Sequence, residues 1–482
     1  MTITIIGLGP GDAMQLTREA WSLLAAADEV YVRTKRHPTV QGLPPELVLH
    51  SFDEWYEQAK SFDQLYDKIA EEVVRLGQRS QGVTYAVPGH PLVGEFTATR
   101  IVKLAEQVGI PVRIVNGISF VSPSLASLGM DALSGLQIAD AIDLAARYHP
   151  PLNPDMPVIV GQLYNGETAS DVKLTLMNQY PDDHPVKLLH AVGTPDERVE
   201  TLPLYELDHH EIDHLTTLYI PPLVRPSAFE TFQDTIAHLR APDGCPWDRE
   251  QTHQSLRRNL LEETYEALAA LDADDPVALR EELGDLLLQI VLHSQIAVEE
   301  GEFSMADVIA RVDAKIKRRH PHVFGDVQVS SVDDVFSNWE AIKKNERTHN
   351  GNAHKSALDG VPIDLPALAQ AEVYGDRAAR VGFDWPNVDG VLDKVTEELR
   401  EIRETAEPDR RTEEFGDLLF ALVNVARWMK IDPEAALRAA NRKFASRFRY
   451  VEARARAQSH DLKGMSLADL DRLWRSAKQT GR

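Results

Sequence analysis

The chain has 482 residues, more than one ordinary core accommodates, so two or three domains are expected. It is 43% hydrophobic and 26% charged, with a formal net charge of −24 that argues against general binding to a nucleic-acid backbone. No apolar run is long enough to span a bilayer, and Cys245, the single cysteine, excludes an intrachain disulfide.

Residues 1–6 lack a basic stretch and run straight into a strand-like pattern, which reads as the start of a fold rather than a signal peptide. With the lone cysteine this fits a reducing cytoplasm. Up to residue 224, short β-rich runs alternate with helical stretches. Residues 2–6, 83–87, 112–115, 157–160 and 186–190 read as strands, and 94–107 and 170–179 as helices between them. That alternation predicts an α/β domain with a substantially parallel sheet.

The first strand leads into Gly7-Leu8-Gly9-Pro10-Gly11-Asp12, a turn through which backbone approaches a ligand. A dinucleotide fold is one reading. Against it, the pattern is not G-x-G-x-x-G, Pro10 removes a backbone donor, and no acid closes the second strand. Two more strand ends run into small-residue turns, at Pro88-Gly89-His90-Pro91 and Asn116-Gly117-Ile118-Ser119. Ligands of α/β sheets sit at the carboxyl ends of strands, so the three loops are candidates to line one crevice. Together these segments resemble the tetrapyrrole methylase family over residues 1–222. The resemblance implies two α/β lobes with an S-adenosylmethionine cleft between them, lined here by Pro10, Gly89, His90, Gly117 and Ser119. Many members carry Gly-Asp-Pro where this chain has Gly89-His90-Pro91, a departure that bears on the tetrapyrrole substrate more than on the cofactor.

The Pro-rich segment 220–226 breaks regular structure. Beyond it helical periodicity dominates, over 256–271, 277–299, 388–404 and 413–429. Residues 345–363, rich in Asn, His and Gly, read as a linker between a unit at 225–344 and another at 364–482. The two units are related. Glu262-Glu263-Thr264-Tyr265-Glu266 recurs as Glu397-Glu398-Leu399-Arg400-Glu401, and Glu282-Leu283-Gly284-Asp285 as Glu414-Phe415-Gly416-Asp417. Lys315 and Arg319 recur as Lys443 and Arg447, and Trp339 and Lys343 as Trp474 and Lys478. Shared order and local spacing point to an internal duplication.

Residues three or four apart on a helix share a face, so Glu263 and Glu266 project together, as do Glu282 and Asp285 on the next helix. Fifteen residues separate Glu266 from Glu282, enough to turn into an antiparallel neighbour; in the second unit twelve separate Glu401 from Glu414. Four converging carboxylates, Glu398, Glu401, Glu414 and Asp417 in the second unit, repel unless a cation intervenes. Oxygen ligands suit Mg²⁺ or Mn²⁺, which take substrate phosphate oxygens as well. The Lys/Arg pairs are candidates to grip phosphates from the opposite side, and the Trp residues to stack on a base or fill core. Gly284 and Gly416 sit mid-helix at a cost of about 1 kcal/mol against Ala, for which close helix approach is the expected reason.

This pattern resembles the MazG family of all-α nucleoside triphosphate pyrophosphohydrolases, as do Cys245-Pro246-Trp247-Asp248, Arg319-His320-Pro321-His322-Val323-Phe324 and Gly382-Phe383-Asp384-Trp385-Pro386. The resemblance covers residues 225–482 and implies a helical bundle, obligate Mg²⁺, a homodimer, and hydrolysis of nucleoside triphosphates to monophosphate and pyrophosphate. It assigns metal to Glu398, Glu401, Glu414 and Asp417, and nucleotide to Lys443, Arg447, Trp474 and Lys478, in the repeat that commonly carries the activity. The first repeat keeps every equivalent: Glu263, Glu266, Glu282 and Asp285, with Lys315, Arg319, Trp339 and Lys343. Two other readings stand beside the hydrolase. Methyl transfer to a tetrapyrrole is the main activity in one; in the other the N-terminal domain is an S-adenosylmethionine sensor or scaffold. The His-rich segments 208–211 and 349–354 lack zinc-ligand spacing and read as polar loop.

Overall fold

The computed structural model describes residues 1–58, 61–349, 356–458 and 460–479. The linker expected at 345–363 and the His-rich stretch at 349–354 therefore lie partly outside the described residues. Contacts divide the chain into two units, Met1–Asp243 and Gly244–Arg482. No helix among the described residues is long and apolar enough to cross a membrane.

The first unit holds two five-stranded sheets. One joins β1 (Ile3–Gly7), β2 (Glu29–Val32), β3 (Val48–Ser51), β4 (Val83–Val87) and β5 (Val112–Val115) in the order β3-β2-β4-β1-β5, every pair parallel. The interior strand β1 buries Ile3, Ile5 and Ile6 completely, as a parallel strand covered on both faces must. Its connections include α1 (Arg18–Ala25), α2 (Asp53–Gln58), α3 (Phe62–Gly77) and α4 (Phe96–Gln107). After α5 (Val121–Leu128) the second sheet joins β6 (Gln137–Asp140), β7 (Val158–Gly161), β8 (Pro185–His190), β9 (Arg198–Pro203) and β10 (Thr216–Ile220), with α6 (Ala141–Ala145) and α7 (Gly166–Leu176) between strands. Only β6 and β7 are parallel; β7–β10, β10–β8 and β8–β9 are antiparallel. The parallel sheet expected from alternation thus holds for the first lobe alone. In the second, β8 returns into β9 through a short connection, which permits only antiparallel pairing. Beyond β10, Asp155 ties down α8 (Phe229–Arg240), accepting from Ser227 N at 2.7 Å, Ala228 N at 3.1 Å and Thr231 Oγ1 at 2.6 Å.

The second unit is helical. It runs α9 (Pro246–Glu250), α10 (Arg257–Asp272), α11 (Pro276–Glu300), α12 (Met305–Arg319), α13 (Pro321–Phe324) and α14 (Val332–His349). It continues with α15 (Ala367–Arg380), α16 (Val388–Glu404), α17 (Pro408–Trp428), α18 (Pro433–Ala457) and α19 (Leu467–Gln479). Asp275 caps α11 by accepting from Val277 N and Ala278 N, with Pro276 preset at the first helical position, and Gly301 at φ 73° ends it. The two long pairs, α10 with α11 and α16 with α17, pack lengthwise. Asp272 at the end of α10 binds Arg438 and Arg442 of α18 at 3.2 and 2.8 Å, joining the repeats.

Candidate functional site

Each long helix pair holds three carboxylates together. Glu263 and Glu266 of α10 meet Glu282 of α11, and Glu398 and Glu401 of α16 meet Glu414 of α17. One ligand oxygen from each member lies within 4.8 Å of the others. The fourth acid of each set stands outside its triad. Asp285 is near enough for its charge to act on Glu263 and Glu282, whereas Asp417 is exposed on α17. Partial burial and then the neighbouring acids raise the Glu263 and Glu282 carboxyls above the usual range. Burial, a hydrogen bond with Glu401 and the charge of Glu398 do the same to Glu414, opposed by Arg410.

The second triad is the deeper one. Glu398 is 2% exposed. Lys394, one turn earlier on α16, holds Glu398 Oε1 at 2.7 Å and Glu397 at 3.0 Å, while Glu398 Oε2 is buried with no hydrogen-bond partner. A buried, unpaired carboxylate oxygen beside two further carboxylates fits a hard divalent cation, which takes oxygen ligands. Lys394 escaped the sequence reading, although its spacing of four from Glu398 was the available signal.

Gly284 and Gly416 lie in open space: a Cβ added at either meets nothing within 4 Å. The expected close approach between α10 and α11, or between α16 and α17, is therefore not what these glycines serve. They lie on faces that also expose Leu283, Leu287 and Ile290 on α11 and Phe415, Leu419 and Leu422 on α17.

The basic and aromatic residues stand on other helix pairs. Lys315 and Arg319 are on α12, and Arg319 binds Glu346 of α14 at 2.8 Å. On α14 the Lys343 ammonium lies 3.8 Å from the centre of the Trp339 ring. In the second repeat Lys443 and Arg447 are on α18, Trp474 and Lys478 on α19. Phe444 and Trp474 bring these helices together, ring centres 5.3 Å apart, and Tyr450 OH bonds Ser476 Oγ at 3.0 Å.

In the first unit the three predicted loops do converge. Gly9 and Gly89 pair through reciprocal backbone hydrogen bonds of 3.2 and 2.8 Å, and the backbones of Gly7, Gly89 and Gly117 touch so closely that no side chain fits at Gly7 or Gly117. Beside them opens a cavity of about 330 Å³. Pro10 and Gly89 line it, whereas His90, Gly117 and Ser119 are not among its lining residues. Instead His90 Nε2 contacts Asn116 Oδ1 at 3.2 Å, and Ser119 O accepts from Ser122 N.

The cavity's charged centre is a pair the sequence did not reveal. Arg33 binds Glu95 at 2.6 Å, and Glu95 also caps α4 by accepting from Thr97 N and Oγ1. Burial works against the guanidinium charge, but Glu95 and the surrounding tyrosines more than offset it and raise its pKa. His37 is pushed down to about 4 by burial, with Arg33 and His214 adding to the effect. Arg33 Nε, His37 Nδ1 and Tyr56 OH are buried without hydrogen-bond partners. Arg33 and His37 share the loop after β2, Tyr56 is on α2 and Glu95 precedes α4, and none carries a local motif. The segment 208–211, expected as polar loop, is loop only from His210 on, because Asp208 and His209 close a 3-10 helix over Leu204–His209; Asp208 binds Lys173 at 2.6 Å and His210 contacts Glu200 at 2.9 Å.

Comparison with known proteins places both halves. Residues 251–324 match the MazG nucleotide pyrophosphohydrolase domain, and residues 2–208 match the tetrapyrrole (corrin/porphyrin) methylases. The uncharacterized protein YabN of Bacillus subtilis is 44% identical over 495 residues, covering 100% of this chain and 99% of its own. The nucleoside triphosphate pyrophosphohydrolase/pyrophosphatase MazG of Thermotoga maritima is 43% identical over 250 residues, 52% of this chain and 95% of its own. The nucleoside triphosphate pyrophosphohydrolase of Escherichia coli K12 is 44% identical over 247 residues, 50% of this chain and 93% of its own. Both of these alignments are longer than either helical repeat. With carboxylate triads in both repeats and a methylase-type domain ahead of them, the chain belongs to the MazG family, in the fused form that YabN shares.

Proposed function

We propose that this protein is a Mg²⁺-dependent nucleoside triphosphate pyrophosphohydrolase, converting a nucleoside triphosphate and water to the monophosphate and pyrophosphate. The observation that carries the reading is the second carboxylate triad, where buried Glu398 presents an unpaired oxygen beside Glu401 and Glu414. Glu398, Glu401 and Glu414, with Asp417 at the edge, hold the ion in this repeat; Glu263, Glu266, Glu282 and Asp285 do so in the first. Mn²⁺ satisfies the same ligands. Bound there, the ion supplies neutralisation of charge on the phosphate oxygens. Lys443, Arg447, Trp474 and Lys478 grip the nucleotide, with Lys315, Arg319, Trp339 and Lys343 as first-repeat counterparts. The names of the Thermotoga and Escherichia relatives support the substrate class.

In this reading the repeats occupy 225–344 and 364–482 about a linker at 345–363, behind a methylase-like domain at 1–222. The functional form is a homodimer that covers the exposed apolar faces of α11 and α17. Incubation of the full chain with a nucleoside triphosphate panel and Mg²⁺, with products separated, tests the reaction. Monophosphate plus pyrophosphate is expected; diphosphate plus phosphate overturns the assignment.

The cavity at Arg33 and Glu95 favours a second ligand. Its bare backbone at Gly89 and three unpartnered polar atoms support S-adenosylmethionine binding in the N-terminal unit, for methyl transfer or for sensing. Calorimetry on the full chain is expected to give saturable heat with S-adenosylmethionine, and none removes both roles.

A further inference from the structure

We propose that His253, Glu300 and Glu302 form a binding site for a divalent transition-metal ion, distinct from the carboxylate triads, with His293 positioning the His253 ring. His253 lies in the loop that leads into α10. His293 is on α11, eight residues beyond Asp285 and so about 12 Å further along the helix. Glu300 closes α11, and Gly301 in the left-handed conformation turns the chain so that Glu302 N bonds back to Ala297 O at 2.9 Å. The two carboxylates thereby come to the same place as His253. One ligand atom from each of the three lies within 4.8 Å of the others.

The histidine pair fixes what His253 offers. Its ring lies edge to edge with His293, nearly coplanar, with centres 5.1 Å apart and planes 11° from parallel, and the two Nδ1 atoms are 2.8 Å apart. A single proton sits between them. With His253 as donor, its Nε2 carries a lone pair. With His293 as donor, His253 Nε2–H is a buried donor without an acceptor, because this atom has no hydrogen-bond partner. The first arrangement leaves no orphan donor. It is also the pattern in which a ligating histidine gives its other N–H to a neighbour that orients it.

The spacing fits chelation better than a hydrogen bond. His253 Nε2 is 3.8 Å from Glu302 Oε2. That is too long for a direct hydrogen bond. Two ligand atoms on a tetrahedral ion with bonds of about 2.0–2.1 Å stand about 3.4 Å apart, so His253 and Glu302 are within a few tenths of an ångström of chelating distance. A mixed nitrogen and oxygen set favours Zn²⁺ over Mg²⁺, which prefers oxygen alone. The ion would staple the loop before α10 to the end of α11, bracing the helix pair that carries the first triad.

The test is Zn²⁺ titration of the metal-stripped full chain by calorimetry, with excess Mg²⁺ present to occupy the carboxylate triads. The wild-type chain is expected to bind one Zn²⁺ equivalent more than Glu302→Gln or His253→Gln. His293→Phe is expected to keep that equivalent with affinity lowered about 10–100-fold. Glu302 is 53% exposed, so Glu302→Gln leaves the fold intact and keeps the test valid should His253→Gln fail to fold. Equal Zn²⁺ stoichiometry and affinity in the wild-type and Glu302→Gln chains overturns the proposal. So does an X-ray absorption spectrum of the Zn²⁺-loaded chain that lacks an imidazole nitrogen.

Discussion

Glu398→Gln separates the metal reading from a purely structural one, because the two predict different effects of Mg²⁺. The substitution keeps the shape of a side chain that is 2% exposed and removes its charge. Without metal, the loss is the pairing with Lys394, which is 38% exposed and 2.7 Å away. Solvent screening limits that pair to less than about 1 kcal/mol. Relief of repulsion from Glu401 and Glu414 offsets part of it. For a unit of the size of Gly244–Arg482 the midpoint in EDTA should therefore fall by no more than about 2–4 °C. With Mg²⁺ at a hundred times its dissociation constant, an intact site gains about 2.7 kcal/mol, or about 5–11 °C. The assay is thermal unfolding with EDTA and with Mg²⁺, in a Glu282→Gln background that disables the first triad. The Mg²⁺-induced rise should appear in the background chain and vanish when Glu398→Gln is added. An equal rise in both would refute the assignment of metal to this triad.

Three further outcomes follow from the same structure. Glu263, Glu282 and Glu414 are raised above the usual value of 4.5, chiefly by burial and by their acidic neighbours. Their protonated forms favour the fold, so the metal-free helical unit should lose stability as pH rises from 4.5 through the raised values, and Mg²⁺ should remove that loss; a melting profile with the same pH dependence with and without Mg²⁺ contradicts this. Glu95→Gln breaks a pair in which Glu95 is 2% and Arg33 24% exposed, leaving the arginine charge uncompensated; urea unfolding should show a loss of about 3–5 kcal/mol, and a change below about 1 kcal/mol would show the pair to be marginal. Leu419→Asp, on the exposed face of α17, should shift sedimentation from dimer to monomer with helicity unchanged, and a monomeric wild-type chain would end the dimer proposal.

Much of the helical site was legible in advance because helical spacing is local. The separations between Glu263 and Glu266, and between Glu398 and Glu401, put each pair on one face whatever the rest of the chain does. The duplication gave each acid a counterpart that chance would not supply. The convergence of the Gly7, Gly89 and Gly117 loops was legible for a similar reason, since parallel neighbouring strands end on the same side. Legibility stopped where segments distant in the chain meet. Arg33 and Glu95 lie 62 residues apart, and neither carries a local pattern. The polarity of the second sheet also escaped, because it depends on how β8, β9 and β10 are connected and not on their alternation.

A duplicated acidic helical module behind an α/β domain with three glycine-bearing strand ends is readable along the chain, because periods and repeats are properties of contiguous residues. The folded structure was needed to show that three acids of each set, not four, close into a triad, leaving Asp417 outside. It alone placed Gly284 and Gly416 on an open apolar face. It alone brought His253 against His293 and Glu302. Each of these depends on the separation and rotation of packed helices, and those are set by side-chain packing across the chain rather than by spacing along it.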